Sequence, residues 1–281
     1  MIRLALLAWL VLVLPSAADP LAKTLFGAQT QGSRQAPEVF GGYAAGCVAG
    51  AVELAETGPG WQAMRLSRNR NWGHPETTAF VERLAPKAQA AGVPRLLIGD
   101  LSQPRGGPMT SLHASHQNGL DVDIWFRFGP AEPMSRQERE DLAFQSIVTD
   151  DRLDVNDRWT GGHLAMLRAA AQDPAVARIF VNPAIKAHLC RVATAPRDWL
   201  AKVRPWWGHD GHFHVRLGCP DGDAGCAPQA PPPAGEGCGD ALDWWFTEDA
   251  LNPAPYDGPR KRDVMTMADL PAACRSVLDA P

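Results

Sequence analysis

The chain of 281 residues predicts a single α+β domain with a small, mostly antiparallel sheet, flanking helices and long loops. Three observations carry that expectation. Strand-like alternation and helix-like patterning are interspersed without a regular strand–helix–strand repeat. Glycine (26) and proline (25) are abundant, which favours short elements over a bundle of long helices. Six cysteines, Cys47, Cys190, Cys219, Cys226, Cys238 and Cys274, leave none unpaired if all form disulfides.

The first segment differs from the rest. "MIRLALLAWLVLVLPSAADP" has one early arginine, an apolar run from Leu4 to Leu14, then Pro15 and the small residues Ser16 and Ala18. That run is shorter than the roughly twenty residues that cross a bilayer core, so it predicts a signal peptide over 1–18 and not a membrane anchor. The mature domain is then 19–281, with a core over about 47–218 and a loop-rich C-terminal segment over 219–281. Export makes three disulfides the natural use of the cysteines. Metal binding by them is disfavoured, because Cys219 and Cys226, the close pair, do not have CxxC spacing. A net charge of −4 gives no basic field for nucleic acid.

Along the mature chain, 19–42 is polar and Gly/Gln-rich and reads as an extended arm. Alternation resumes at Trp61 after the Gly58-Pro59-Gly60 turn. A helix is predicted from Thr77 or Thr78 to about Ala91, capped by threonine and stopped at Gly92. "RLLIGDLS" (95–102) reads as a buried strand, and Asn118-Gly119 as a turn delivering the chain into the alternating strand "LDVDIWFRF" (120–128). Ser135 and Glu138 form a capping box for a helix through about Ile147. A helix over Thr160–Gln172 and strands over 176–183 and 212–218 follow. Beyond Gly218 there is no periodicity, and disulfides are expected to pin the tail.

Five of the eight histidines fall in two short stretches, "SLHASHQNGLDVDIWFRF" (111–128) and "WWGHDGHFHVRL" (206–217). On a strand, residues i and i+2 share a face. His212, His214 and Arg216 therefore share one face, as do Asp121 and Asp123, with apolar residues on the opposite faces. Two polar strand faces of this kind are what a metal site on a sheet requires. Catalytic zinc sites take three protein ligands and leave a position for water. His116, Asp123 and one histidine of the HxH supply such a set, and the remaining histidine is placed to serve as general base.

The pattern Hx₆D…HxH resembles zinc peptidases of the lysostaphin and D-alanyl-D-alanine carboxypeptidase type. The longer stretches "LLIGDLSQPRGGPMTSLHASHQNGLDVDIWF", "RLSRNRNWGHP", "RIFVNPAIKAHLC" and "DWLAKVRPWWGHDGHFHVRLGCP" closely resemble the penicillin-insensitive murein endopeptidase family, from about Cys47 to Cys274. The resemblance implies Zn²⁺ on His116, Asp123 and His214, His212 as the catalytic histidine, and His113 as a further metal-binding position. It implies a second metal group at Asp150, but Leu153 stands where the family has histidine, and leucine cannot ligate. It also implies the disulfides Cys47–Cys274, Cys190–Cys238 and Cys219–Cys226. The implied reaction is hydrolysis of the D-alanyl–meso-diaminopimelate cross-link of peptidoglycan in the periplasm. No SxxK or GxSxG serine motif is present, in keeping with insensitivity to β-lactams.

Two other readings share these residues: a zinc D-Ala-D-Ala carboxypeptidase, and a catalytically silent peptidoglycan-binding protein. Arg65, Arg68, Arg70, His74 and Arg105 are candidates for binding substrate carboxylates, with structural salt bridges as the competing use. His209 is a candidate second proton carrier or substrate-facing loop residue. Asp121 is expected to orient a ligand histidine or cap a turn; Trp206 and Trp207 are expected to pack in the core, with lining of the cleft as the alternative. His163 and His188 read as ordinary helix residues. The sequence does not fix an oligomeric state.

Overall fold

The computed structural model describes residues 19–281, and the expected signal peptide over 1–18 lies outside the described residues. The domain is α+β. Its main sheet has seven strands in the spatial order Val203–Pro205, Val176–Val181, His212–Leu217, Asp121–Trp125, Leu96–Ile98, Trp61–Ala63, Thr57–Gly58. Two neighbour pairings are parallel and the other four antiparallel. The predicted strands at 95–102, 120–128, 176–183 and 212–218 all lie in it.

Alternation decides which face is buried. Val122, Ile124, Phe213, Val215 and Leu217 are fully buried on one face of the two central strands. The helices Pro75–Ala90 and Gly161–Ala171 contribute Phe80, Val81, Leu84, Met166 and Leu167 to the same core. Burying such side chains is worth about 1.5–3 kcal/mol each. The opposite face presents Asp121, Asp123, His212, His214 and Arg216.

Three local expectations are corrected. The helix near Thr77 begins at Pro75, and its cap is His74, whose Nδ1 accepts from Glu76 N at 3.2 Å. Proline suits the first helical position because its missing N–H would have no partner there anyway. The helix after the Ser135–Glu138 capping box covers Arg136–Asp141 and stops short of Ile147. Leu142 turns extended, and Phe144 then packs against Trp125 and His212. The arm over 19–42 is not simply extended: Ala22–Gly27 is a helix and Glu38–Gly42 a strand paired with Ala45–Ala49. Ala22 and Phe26 belong to a second core with Cys47, Met265, Cys274 and Val277. No sequence periodicity reveals this because both halves of that core are short and lie at opposite ends of the described chain.

Three disulfides join Cys47 to Cys274, Cys190 to Cys238 and Cys219 to Cys226, as the family resemblance implies. The first binds the tail to the N-terminal hairpin. Among the described residues no helix is long and apolar enough to cross a membrane.

Candidate active site

The two central strands are antiparallel, with His214 directly opposite Asp123, Arg216 opposite Asp121 and His212 opposite Trp125. Opposed residues share a face, so this register brings the two polar faces together. Arg216 holds Asp121 with two bonds of 2.8 and 3.1 Å, and its guanidinium lies 4.1 Å over the Tyr43 ring.

His116 arrives from the loop. Its φ is +66°, a left-handed conformation rare for a residue with a side chain. The backbone is held there because His116 N donates to Asp121 Oδ2 at 3.0 Å. Gly119, at φ +75°, makes the turn into the strand; a Cβ there would come within 3.0 Å of His74 N and Val48.

Asp123 is the hub. His116 Nε2 lies 3.4 Å and His214 Nδ1 3.3 Å from its Oδ1, while His113 Nδ1 and His212 Nε2 each lie 3.6 Å from its Oδ2. The far nitrogen of three of these rings faces other groups. His116 Nδ1 meets the Leu101 carbonyl at 2.6 Å, His113 Nε2 meets Asp100 at 3.0 Å, and His214 Nε2 lies 3.0 Å from Asp121 Oδ1. A carbonyl only accepts, so His116 carries its proton on Nδ1 and points the Nε2 lone pair at a carboxylate. Lone pair against carboxylate is repulsive unless a cation lies between them. His116 Nε2 and Asp123 Oδ1 are accordingly buried without a hydrogen-bond partner, a state that costs about 1–3 kcal/mol per group. The donor set fits a borderline divalent cation such as zinc. Two groups are close enough to hold an ion: His113, His116 and Asp123, and His116, Asp121 and His214.

Protonation follows from the same contacts. Burial pushes His116 down and keeps it neutral despite Asp123. Burial would also lower His214, but the Asp121 and Asp123 carboxylates outweigh it and lift it to about 9. Burial would raise Asp123, but His212, His116 and His113 hold it well below the carboxylate range. Burial pushes His212 down, only partly opposed by Asp123. A neutral His212 is the form that can accept a proton.

His113, Asp123, His212 and His214 line a cavity of about 800 Å³ with Arg65, Arg68, Asp100, Phe144, Trp206 and Trp207, while His116 and Asp121 are fully buried. Trp206 (48% exposed) and Trp207 (40%) lie on its wall, the cleft-lining alternative, and not in the core as expected first. They follow the end of the strand Val203–Pro205, where the tail segment around Trp244, Trp245 and Ala250 packs against Trp207 and leaves both indoles partly exposed. His209 lies in the same cavity, its ring 5.0 Å from His212. Arg68 and Arg70 both bind the buried Asp100, at 3.2 and 2.9 Å; Arg68 also lines the cavity. Arg65 bonds the carbonyls of Arg139 and Leu142 and stacks over Trp125.

Two substrate candidates are placed elsewhere. His74 is a buried helix cap beside Asp223, and Arg105 donates to the carbonyls of Val277, Leu278 and Ala280, tying down the C-terminus. Asp150 lies in a smaller neighbouring cavity, outside both His/Asp groups, and Leu153 is exposed. His163 completes a capping box with Thr160, and His188 meets Asp154 at 3.3 Å.

Two contributors are absent from the sequence reading. Asp100 anchors His113, and its only signal is a lone acid ending an apolar run. Arg262, from the tail, donates to the carbonyls of Leu112 and His113 and so fixes the His113 loop; no local pattern marks it.

Residues 39–279 match a family model described as penicillin-insensitive murein endopeptidase. A protein of that name from Haemophilus influenzae is 45% identical over 245 residues, covering 86% of this chain and 82% of its own. One from Klebsiella pneumoniae is 39% identical over 269 residues, covering 96% of each, and one from Salmonella typhi is 40% identical over 276 residues, covering 98% and 97%. With its polar strand faces meeting on one carboxylate and this likeness running through nearly the whole described chain, the protein belongs to the penicillin-insensitive murein endopeptidase family.

Proposed function

We propose that this chain is a zinc-dependent endopeptidase that hydrolyses the D-alanyl–meso-diaminopimelate cross-link of peptidoglycan, acting in the periplasm after loss of residues 1–18. One observation carries the reading: a buried carboxylate, Asp123, surrounded by four imidazole nitrogens, with His116 Nε2 and Asp123 Oδ1 lacking partners. His116, Asp123 and His214 are the holding set, with His113 as a further donor. When bound, zinc supplies Lewis-acid polarisation of the scissile carbonyl and a water acidic enough to attack near neutral pH.

The chain's own groups do the rest. Leu101 O, Asp100 and Asp121 orient the rings of His116, His113 and His214, and such partners typically govern metal affinity by 10–100-fold. His212 faces the same carboxylate from the next cavity position and takes the proton of the attacking water, then returns it to the leaving amine. Arg68, on the cavity wall, is the candidate partner for a stem-peptide carboxylate. No acyl-enzyme is needed, which accords with the "penicillin-insensitive" in the relatives' names.

The test is purified protein with cross-linked muropeptide dimers, before and after chelation and zinc return. Monomers that disappear on chelation and reappear with zinc are the expected result. Release of terminal D-alanine alone indicates a carboxypeptidase. Bound zinc without any product indicates a silent binding protein.

A further inference from the structure

Four tryptophans form a continuous surface leading out of the active-site cavity. Trp207 packs 5.5 Å from Trp206, 4.8 Å from Trp245 and 5.7 Å from Trp244, centroid to centroid, and Trp244 lies 5.1 Å from Trp245. Trp206 and Trp244 are each about half exposed, at 48% and 49%. The array is held in place: Trp207 Nε1 donates to Ala250 O at 2.8 Å. Exposed aromatic patches of this kind mark binding surfaces more often than chance.

A second cavity of about 450 Å³ adjoins this surface, within the size range of small-ligand sites. Trp207 and Gly208 line both cavities; Trp245, Asp150 and Asp210 line the second. Indole faces receive the apolar C–H faces of sugar rings, and carboxylates accept hydrogen bonds from hydroxyls. The charge around the array narrows the partner. Asp240, Asp243, Glu248 and Asp249 flank Trp244 and Trp245, and Asp150 and Asp210 line the second cavity; against these acids stands Arg152, which lines that cavity and bonds Leu251 O and Asn252 Oδ1, so the surface carries an acidic surplus. An anionic bilayer or nucleic acid is repelled there, whereas a neutral polymer is not.

We propose that Trp206, Trp207, Trp244 and Trp245, with the adjoining cavity, form a subsite for the neutral glycan chain from which the cleaved peptides branch; this rests on the peptidoglycan reading above. The peptide cross-link occupies the Asp123 cavity while sugar rings lie along the indoles. The subsite adds binding energy for the intact polymer and contributes nothing to cleavage of a peptide lacking sugar.

The test compares wild type, Trp244→Ala and Trp244→Phe on intact sacculi and on glycan-free cross-linked peptide dimers, with an N-acetylglucosamine tetramer titrated against tryptophan fluorescence. The expected result is a KM on sacculi raised roughly tenfold by Trp244→Ala, equivalent to about 1.4 kcal/mol, with rescue by phenylalanine. Turnover of the peptide dimer stays unchanged, and sugar titration weakens by a similar factor. Equal losses on both substrates overturn the proposal in favour of a structural role. Unchanged sacculus cleavage with no sugar binding overturns it too, as does a sedimentation dimer abolished by Trp244→Ala with sugar binding unaffected. If wild type binds the sugar but cleaves neither substrate, the peptidase reading fails and the glycan surface stands.

Discussion

Asp123 and Asp150 both stand where the sequence predicts a metal carboxylate, yet the fold treats them differently. Asp123 is buried on a central strand, opposite His214, with His113, His116 and His212 converging on it. Asp150 sits exposed in a loop, and Leu153 offers it no lone pair. Charge alone does not make a site. What distinguishes Asp123 is a rigid strand register that supplies opposing side chains at fixed separations, while a loop carboxylate depends on its local sequence for partners.

Mutations can break or sharpen that contrast. Asp123→Ala is expected to abolish metal binding and lower turnover by more than about a thousandfold, since even partners that only orient ligands are worth 10–100-fold. Elemental analysis together with muropeptide cleavage checks it; retained metal would mean the hub is elsewhere. His212→Ala is expected to keep metal but lose about 10²–10³-fold in turnover, and His214→Ala to lose the metal itself. Equal metal content in the two variants would refute that division of roles.

Asp121→Asn is expected to weaken metal affinity about tenfold or more. It also removes the charge that pairs with buried Arg216, at a cost in stability of about 3–5 kcal/mol, readable by denaturant titration. A smaller effect concerns acid stability. Burial would raise Asp100, but the His113 hydrogen bond and the His113, Arg70 and Arg68 charges bring it down to about 2. Its folded pKa lies below its unfolded value, so its stabilisation is complete above about pH 4 and is lost as pH falls towards 2. Asp100→Asn should therefore flatten the stability profile in that window, and an unchanged profile would discount the cluster. Asp150→Asn is expected to change turnover of peptide dimers by less than about twofold, as a surface substitution typically does. A large loss would erase the contrast between the two carboxylates.

Much of the site is legible because strands have a period of two. That period places His212, His214 and Arg216 on one face, Asp121 and Asp123 on another, and their apolar neighbours in the core, as the structure has them. The Asn118-Gly119 turn is equally local. The Trp206–Trp207 pair takes the less favoured of its two expected uses, lining the cleft, because both indoles lie past the end of the strand. For His74 the structure shows a structural use, as a helix cap, a role in which threonine is the commoner signal. Arg105 likewise has a structural use, and local sequence does not mark it because the carbonyls it binds belong to the far end of the chain.

The sequence by itself determined the α+β class, the strand faces and the identity of the converging histidines and carboxylates, because each rests on local backbone periodicity or residue chemistry. The tertiary structure alone decided the pairing of His214 with Asp123, the anchoring of His113 by Asp100 and Arg262, and the indole surface beside the cavity. Those depend on register and on contacts between residues from 13 to about 150 positions apart, and no local pattern encodes which distant groups a fold will bring together.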